Sequence, residues 1–425
     1  MKLRCLWIAG LIILAGMQVA AQFKAGAALR KITPDKLLPI SGGMGTPVMP
    51  VGKQGDLFVR ALVLEKNETR VAIVSIDNLG WPAYLGDRSR RLIRGVPAAN
   101  VLIAATHVHS APDAYGFPDE KGNTGADLEY LDWCVVQIAE AVNEAVEKLE
   151  PALLKTAVEA AQGKIAYNYY AEKLYDPRCG VIQAVAAAGP NKGKVIATLV
   201  NYASHPEILG TARKTMSPDF CGPLYDRIEN RVGGIALYLN SAQGGMVTAD
   251  NRLENGREAN DWAECVRIGN LLADEALRII GKAPVTENPD LYCASRMIQL
   301  PVDNETMRYV FKNSPVAGNR FKEMDFTTVS TRLNLLNIGK AQVLTIPGEA
   351  LPNIGYYLKR KMNTSQPFLF GLTNDAFGYI LTKEDFGSFD RYQYISRTSL
   401  SEMTGEILEQ EAIRLIGESP RPSDK

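Results

Sequence analysis

Short apolar runs recur along this chain and set its rhythm. Residues 71–77, 101–105, 195–202, 234–240 and 368–372 are apolar nearly throughout. Runs of that length with so few polar positions predict strands buried on both faces. Residues 56–65, 152–160, 291–301, 327–338 and 342–346 predict further strands. A different period governs residues 127–149, where Leu128, Leu131, Val135, Ile138, Val142 and Val146 fall on one helical stripe and Pro151 closes it. Helices are also predicted over 88–93, 223–232, 261–280, 351–362 and 399–416. Strands interleaved with helices predict an α/β fold, a mixed-sheet core flanked by helices. Gly281-Lys282-Ala283-Pro284 is the candidate boundary between an N-terminal lobe, 22–283, and a C-terminal lobe, 284–425, of one domain.

Polar groups follow the buried strands at or just after their exits. Thr106-His107-Val108-His109-Ser110 follows 101–105, and Ser204-His205-Pro206-Glu207 follows 195–202. These are the only three histidines of the chain. His-x-His in an extended segment turns both imidazoles to one side, and neutral imidazole is the commonest metal ligand. Pro347-Gly348-Glu349 follows 342–346, and Tyr379 follows 368–372. Two His and one Glu make a common catalytic zinc shell with a position left open for water.

Each of these residues also has a plainer account. A lone His such as His205 is more often a satisfied hydrogen-bonding group than a ligand. Glu349 suits a helix start, where acids are favoured. Gly244-Gly245 suits a turn, Tyr379 suits the core, and Asp77 suits a cap. No compact motif such as His-Glu-x-x-His is present.

The start of the chain adds an address. Met1-Lys2-Leu3-Arg4, an apolar run from Leu6 to Ala15, and Val19-Ala20-Ala21 have the parts of a secretory signal, with cleavage expected after Ala21. That run is too short to span a bilayer. The expectation is a signal peptide over 1–21, no membrane span, and an exported protein, periplasmic or secreted. Lys plus Arg and Asp plus Glu are both 47, which argues against nucleic acid as a partner. Cys134, Cys179, Cys221, Cys265 and Cys293 remain beyond the signal, and no Cys-x-x-Cys occurs, so a disulfide framework is not expected.

Five stretches, in order, resemble the amino-terminal catalytic domain of the neutral/alkaline non-lysosomal ceramidases, over roughly 23–415. Ala105-Thr106-His107-Val108-His109-Ser110-Ala111-Pro112 is similar to that family's Thr-His-Thr-His-Ser-Gly-Pro. Asn201-Tyr202-Ala203-Ser204-His205-Pro206 resembles its second histidine segment, and Ser217-Pro218-Asp219-Phe220-Cys221-Gly222 its Ser-x-Asp-x-x-Gly. Ile346-Pro347-Gly348-Glu349 resembles Val-Pro-Gly-Glu, and Asn374 to Glu384 resembles Asn-x-Tyr-x-x-Tyr-Val-Thr-Thr-x-Glu-Glu. The resemblance implies cleavage of the ceramide amide with one zinc ion, held by His107, His205, Glu349 and Tyr379. It implies that His109 faces the substrate, and that Tyr392 of Arg391-Tyr392 contacts the scissile group, although this pair sits one residue farther from Tyr379 than the family spacing. The family's Gly-Asp-Val-Ser-Pro-Asn appears as Gly245-Met246-Val247-Thr248-Ala249-Asp250, so Thr248 keeps a hydroxyl while an acid becomes Met246. Its Asn-x-Asn-Arg-Ser-Pro corresponds to residues 165–170, where the Arg is lost. No immunoglobulin-like carboxyl-terminal domain is expected.

The resulting expectation is a zinc-dependent amidohydrolase in which metal-activated water attacks ceramide or a related N-acyl compound. In it His109 moves a proton or steadies an oxyanion, and Thr248 and Tyr392 hydrogen-bond the scissile group. The expected partner is a small-molecule or lipid substrate. Two other classes stay open: a metal-dependent hydrolase or lyase on a glycan, suited by Tyr167, Tyr169 and Tyr170, and a non-catalytic binding protein. A greasy pocket beside the metal separates the first class from the second.

Overall fold

The computed structural model describes residues 22–119, 121–318, 321 and 326–423. The expected signal peptide lies outside the described residues.

Two sheets stack face to face between two layers of helices. The larger has eight strands, in spatial order Ile235–Asn240, Val195–Tyr202, Arg178–Ala186, Glu150–Ala160, Lys24–Lys31, Phe58–Lys66, Thr69–Ile76, Val101–Ala105. The smaller has four, in the order Leu291–Pro301, Thr328–Ile338, Ala341–Thr345, Gln366–Phe370. All strands of the first precede Gly281, and all strands of the second follow it. Alternation along one strand shows how the layers form. Val59, Ala61 and Val63 pack under the helices Leu128–Glu147, Cys221–Val232 and Trp262–Gly281. Leu62 and Leu64, on the opposite face, pack against Leu336, Val343 and Phe368 of the second sheet. The far side of that sheet is covered by Ile354 and Leu358 of Pro352–Lys361 and by Leu408 and Ala412 of Thr404–Glu418. The mixed α/β fold expected from the sequence is therefore the one observed.

Three parallel strand pairs decide where a site forms. Thr69–Ile76 pairs with Val101–Ala105, Val195–Tyr202 with Ile235–Asn240, and Ala341–Thr345 with Gln366–Phe370, each in parallel register. Each pair is joined through a helix: Ala83–Leu92, Cys221–Val232 and Pro352–Lys361 respectively. Parallel neighbours need such crossovers, and loops at their carboxyl ends are the usual place for a ligand.

The segment Gly371–Asn374 sews the three ends together. Gly371 N donates to Asn240 O, Leu372 N to Gly348 O, and Asn374 N to Ile103 O, while Leu372 O accepts from Ala105 N. Asn240 Nδ2 also donates to Thr106 O. Edge strand Ile235–Asn240 has no ladder partner on its outer side among the described residues, and side chains substitute for one. Ser75 Oγ donates to Tyr238 O at 2.7 Å, and Arg60 Nη1 to Ala236 O at 3.1 Å.

Asp77 has a structural task. It accepts from Phe58 N at 2.9 Å and from Tyr225 Oη at 3.0 Å, and burial pushes its carboxyl up to about 6. Among the described residues Cys134, Cys179, Cys221, Cys265 and Cys293 are free thiols. No described helix is long and apolar enough to cross a membrane.

Candidate metal centre

The strand Val101–Ala105 ends one residue before a backbone kink. Thr106 N donates to Ile76 O, His107 N donates to Asn78 O, and His107 adopts φ +68°. A bulky residue in the left-handed region is a strained, over-determined position of the kind that clusters at functional sites. The His-x-His segment is thus bent rather than extended. His107 and His109 nonetheless meet, edge to face, with ring centroids 4.6 Å apart.

His205 arrives from the second crossover. Its ring centroid is 4.8 Å from that of His107 and 5.4 Å from that of His109. The Ser217–Asp219 stretch clamps the two segments. Ser217 O accepts from Ser110 Oγ at 3.1 Å, and Asp219 Oδ2 accepts from Leu209 N at 2.9 Å. Glu349 and Tyr379 come from the third crossover, as opposite residues of a two-residue parallel ladder. Glu349 is buried, at 5% exposure.

The nitrogen assignments follow from the partners. His107 Nδ1 lies 2.6 Å from Leu79 O, and His205 Nδ1 lies 2.7 Å from Val247 O. A carbonyl oxygen only accepts, so both Nδ1 atoms carry the proton. Both Nε2 atoms then point at one oxygen: Glu349 Oε2 is 3.3 Å from His107 and 3.0 Å from His205. In neutral imidazoles these would be two lone pairs facing a third. The arrangement is satisfied by a proton or by a cation at that point. Without a metal the proton answers: burial alone would lower the His205 pKa, but the Glu349 hydrogen bond lifts it to about 9. Burial alone would raise Glu349, but His107 and His205 hold it well below the usual carboxylate range. Two imidazoles and a carboxylate converging on one point, with Nδ1 atoms fixed by carbonyls, are the donor set and supporting bonds that zinc takes.

His109 differs. Its Nδ1 is 3.4 Å from Glu207 Oε2, and its buried Nε2 has no hydrogen-bond partner among the described residues. Burial pushes its pKa down to about 3, against the pull of Glu207. One ligand atom from each of His107, His109 and His205 lies within 4.8 Å of the others. Tyr379 Oη is 3.3 Å from Met246 Sδ, and burial raises its pKa well above the ordinary tyrosine value.

An apolar cavity opens over these groups. His107, His109, Glu349 and Tyr379 form its floor, and Tyr115, Phe117, Met307, Val310, Phe311 and Phe377 its sides. Of the residues expected at the chemistry, Thr248 and Tyr392 stand off this cavity. Thr248 lies opposite Tyr167 in a short ladder and faces a second, polar cavity. Tyr392 packs on Tyr170 at 5.4 Å and edge-on to Phe389 at 5.3 Å. Tyr394, two residues on, does line the cavity, with its ring 6.0 Å from that of Tyr379. Neither Tyr394 nor Glu207 is singled out by the sequence motifs. For Glu207 the usable signal is alternation, since it lies two positions beyond His205; Tyr394 sits in the short helix Gln393–Arg397, where that rule does not apply.

Close approach explains one glycine. A Cβ on Gly244 would sit 2.2 Å from Glu349 O, so the loop after Ile235–Asn240 lies directly on the backbone of Glu349. Gly244→Ala is expected to displace that carboxylate and so to weaken the hold of these donors on a divalent cation about 10- to 100-fold. Gly281→Ala, where a Cβ meets nothing within 4 Å, is the control with unchanged affinity. Titration against a competing chelator measures both.

Comparison with solved structures names the architecture. A neutral ceramidase from Pseudomonas aeruginosa superposes with a TM-score of 0.77 over 95% of this chain and 76% of that one, at 17% identity. The chain has the fold of the neutral ceramidases. A ceramidase complexed with C2 matches with a TM-score of 0.74, covering 95% of this chain and 77% of that one, again at 17% identity. No protein-family model matches the chain, and no curated protein matches it by sequence. The ceramidase fold is thus carried here by a sequence only 17% identical to those of the two solved structures.

Proposed function

We propose that the protein is a zinc-dependent hydrolase of N-acyl compounds, with the acyl chain lodged in the apolar cavity. One observation carries this reading: the Nε2 atoms of His107 and His205 meet at Glu349 Oε2 on the floor of that cavity. The ceramidase fold supports it.

His107, His205 and Glu349 would hold the ion, with Tyr379 beside them. A zinc ion bound there supplies Lewis acidity towards a carbonyl oxygen and lowers the pKa of water. The rest falls to the chain. Aromatic and aliphatic walls exclude water from the acyl side, which strengthens every polar contact at the floor. His109 presents an unpartnered Nε2 at the cavity floor, placed to take a proton and return it to the leaving amine. Glu207 orients that ring through Nδ1. Tyr394 offers its hydroxyl from the cavity wall and Thr248 its own from the polar side. Tyr392 acts from the rim, through its packing on Tyr170.

An acyl series tests this. For amides of one amine with growing chains, kcat/KM is expected to rise about fourfold per methylene, the equivalent of roughly 0.8 kcal/mol, until the cavity is filled. A flat series, or no amide cleavage by the zinc-loaded chain, counts against the reading. Tyr167 and Tyr169 on the polar cavity favour the alternative, a metal-dependent hydrolase or lyase acting on a glycan. Including glycans and esters in the same screen separates the two.

A further inference from the structure

The apolar cavity does not end blindly at the histidines. Gly42 and His109 belong to its wall and also to the wall of the second cavity. This second space is built of different material. Tyr167, Tyr169, Glu207, Thr248, Asn251 and Glu258 line it. Among the described lining residues there are two carboxylates and no Lys or Arg. Glu207 is three-quarters covered, its side chain 24% exposed. Tyr169 is 63% exposed and offers an open ring face. One face of Tyr167 is already taken by the Arg252 guanidinium, 3.9 Å from its ring centroid, so the open ring is that of Tyr169. The partition between the two spaces carries the buried, unpartnered Nε2 of His109.

Two carboxylates in a cavity with no basic residue on its wall create a negative potential there. The open face of Tyr169 adds to it, because the ring quadrupole favours a cation. A neutral polyol would need only the hydroxyls and amides. A substrate carboxylate would be repelled.

We propose that the polar cavity selects a substrate half bearing a positive charge, an ammonium or quaternary ammonium group, joined across His109 to the acyl half in the apolar cavity. This rests on the hydrolase reading above and narrows it: the amine released carries a second, cationic nitrogen.

Three lauroyl amides of similar length make the test: those of trimethylenediamine (cationic), propanolamine (neutral) and β-alanine (anionic). Turnover is measured on the zinc-loaded chain, and binding by calorimetry on the Glu349→Gln chain. The order expected in both is cation, then neutral, then anion, with steps of about tenfold at low salt that shrink as salt is added. Glu258→Gln should narrow the cation-to-neutral ratio by about threefold, and Glu258→Lys should invert it. Equal binding of the cationic and neutral amides, no binding of any of the three, or a ratio untouched by Glu258→Lys overturns the proposal. If they bind in the stated order but are not cleaved, hydrolysis fails and charge selection stands. If all three are cleaved at one rate, charge selection fails and hydrolysis stands.

Discussion

Glu349→Gln is expected to cost at least about 1000-fold in kcat/KM, roughly 4 kcal/mol of transition-state stabilisation. The substitution keeps the shape and removes the charge. Glu349 Oε2 is where both Nε2 atoms converge, so a neutral amide oxygen there holds a divalent cation far less well. Its backbone role is untouched, because Glu349 N donates to Gly378 O and its neighbour Ala350 pairs with Ile380. Unchanged circular dichroism, together with lost turnover and lost zinc, is the expected combination. Turnover within tenfold of the parent would exclude Glu349 from the chemistry.

The largest stability effect is expected well away from the metal. Lys359 and Asp176 form an ion pair at 2.9 Å with both side chains 3% exposed. Lys359 Nζ also donates to Ser241 Oγ at 3.0 Å, at the head of the loop that rests on Glu349. Asp176→Ala strands a buried ammonium, and such single deletions cost about 3–5 kcal/mol. Burial would raise the Asp176 pKa, but Lys359 and Arg178 together hold it down to about 2. Burial lowers the Lys359 pKa, and Asp176 opposes that shift. A carboxylate depressed below its unfolded value stabilises the fold above that value and loses its contribution as pH falls through the folded one. The stability gap between parent and Asp176→Ala should therefore be full above about pH 4 and close towards pH 2. Urea unfolding at a series of pH values measures it. A gap that stays constant down to pH 2 would deny the pair its role.

Strands that lead to the site are readable because both of their faces are buried, so Val101–Ala105 and Val195–Tyr202 appear as largely apolar runs that end two or three residues before His107 and His205. The strand Lys24–Lys31 gives no such signal. It reads Lys-Ala-Gly-Ala-Ala-Leu-Arg-Lys because the helix Leu128–Glu147 lies almost on it, and a Cβ on Gly26 would meet Ala145 O at 2.2 Å. Small residues that permit close approach look featureless in a hydrophobicity pattern. Arg178–Ala186, which pairs with strands on both sides, is hidden by its similar Gly, Ala and Gln content. The helix Glu305–Asn313, whose Met307, Val310 and Phe311 wall the apolar cavity, also escapes the periodicity. Asn304, which accepts from Thr306 N and Met307 N, is a usable start signal for it. The distance between Tyr392 and Tyr394 is a matter of local helix phase. Spacing points to the first, and the turn after Asp390–Tyr392 brings the second to the cavity.

X-ray absorption at the zinc edge, on the full-length protein as purified, tests the central claim most directly. The account predicts one zinc per chain, bound by two imidazoles and oxygen at about 2.0–2.1 Å, and lost in His205→Ala. A protein that holds no stoichiometric zinc even after zinc is supplied, or whose zinc spectrum is unchanged by His205→Ala, would contradict it.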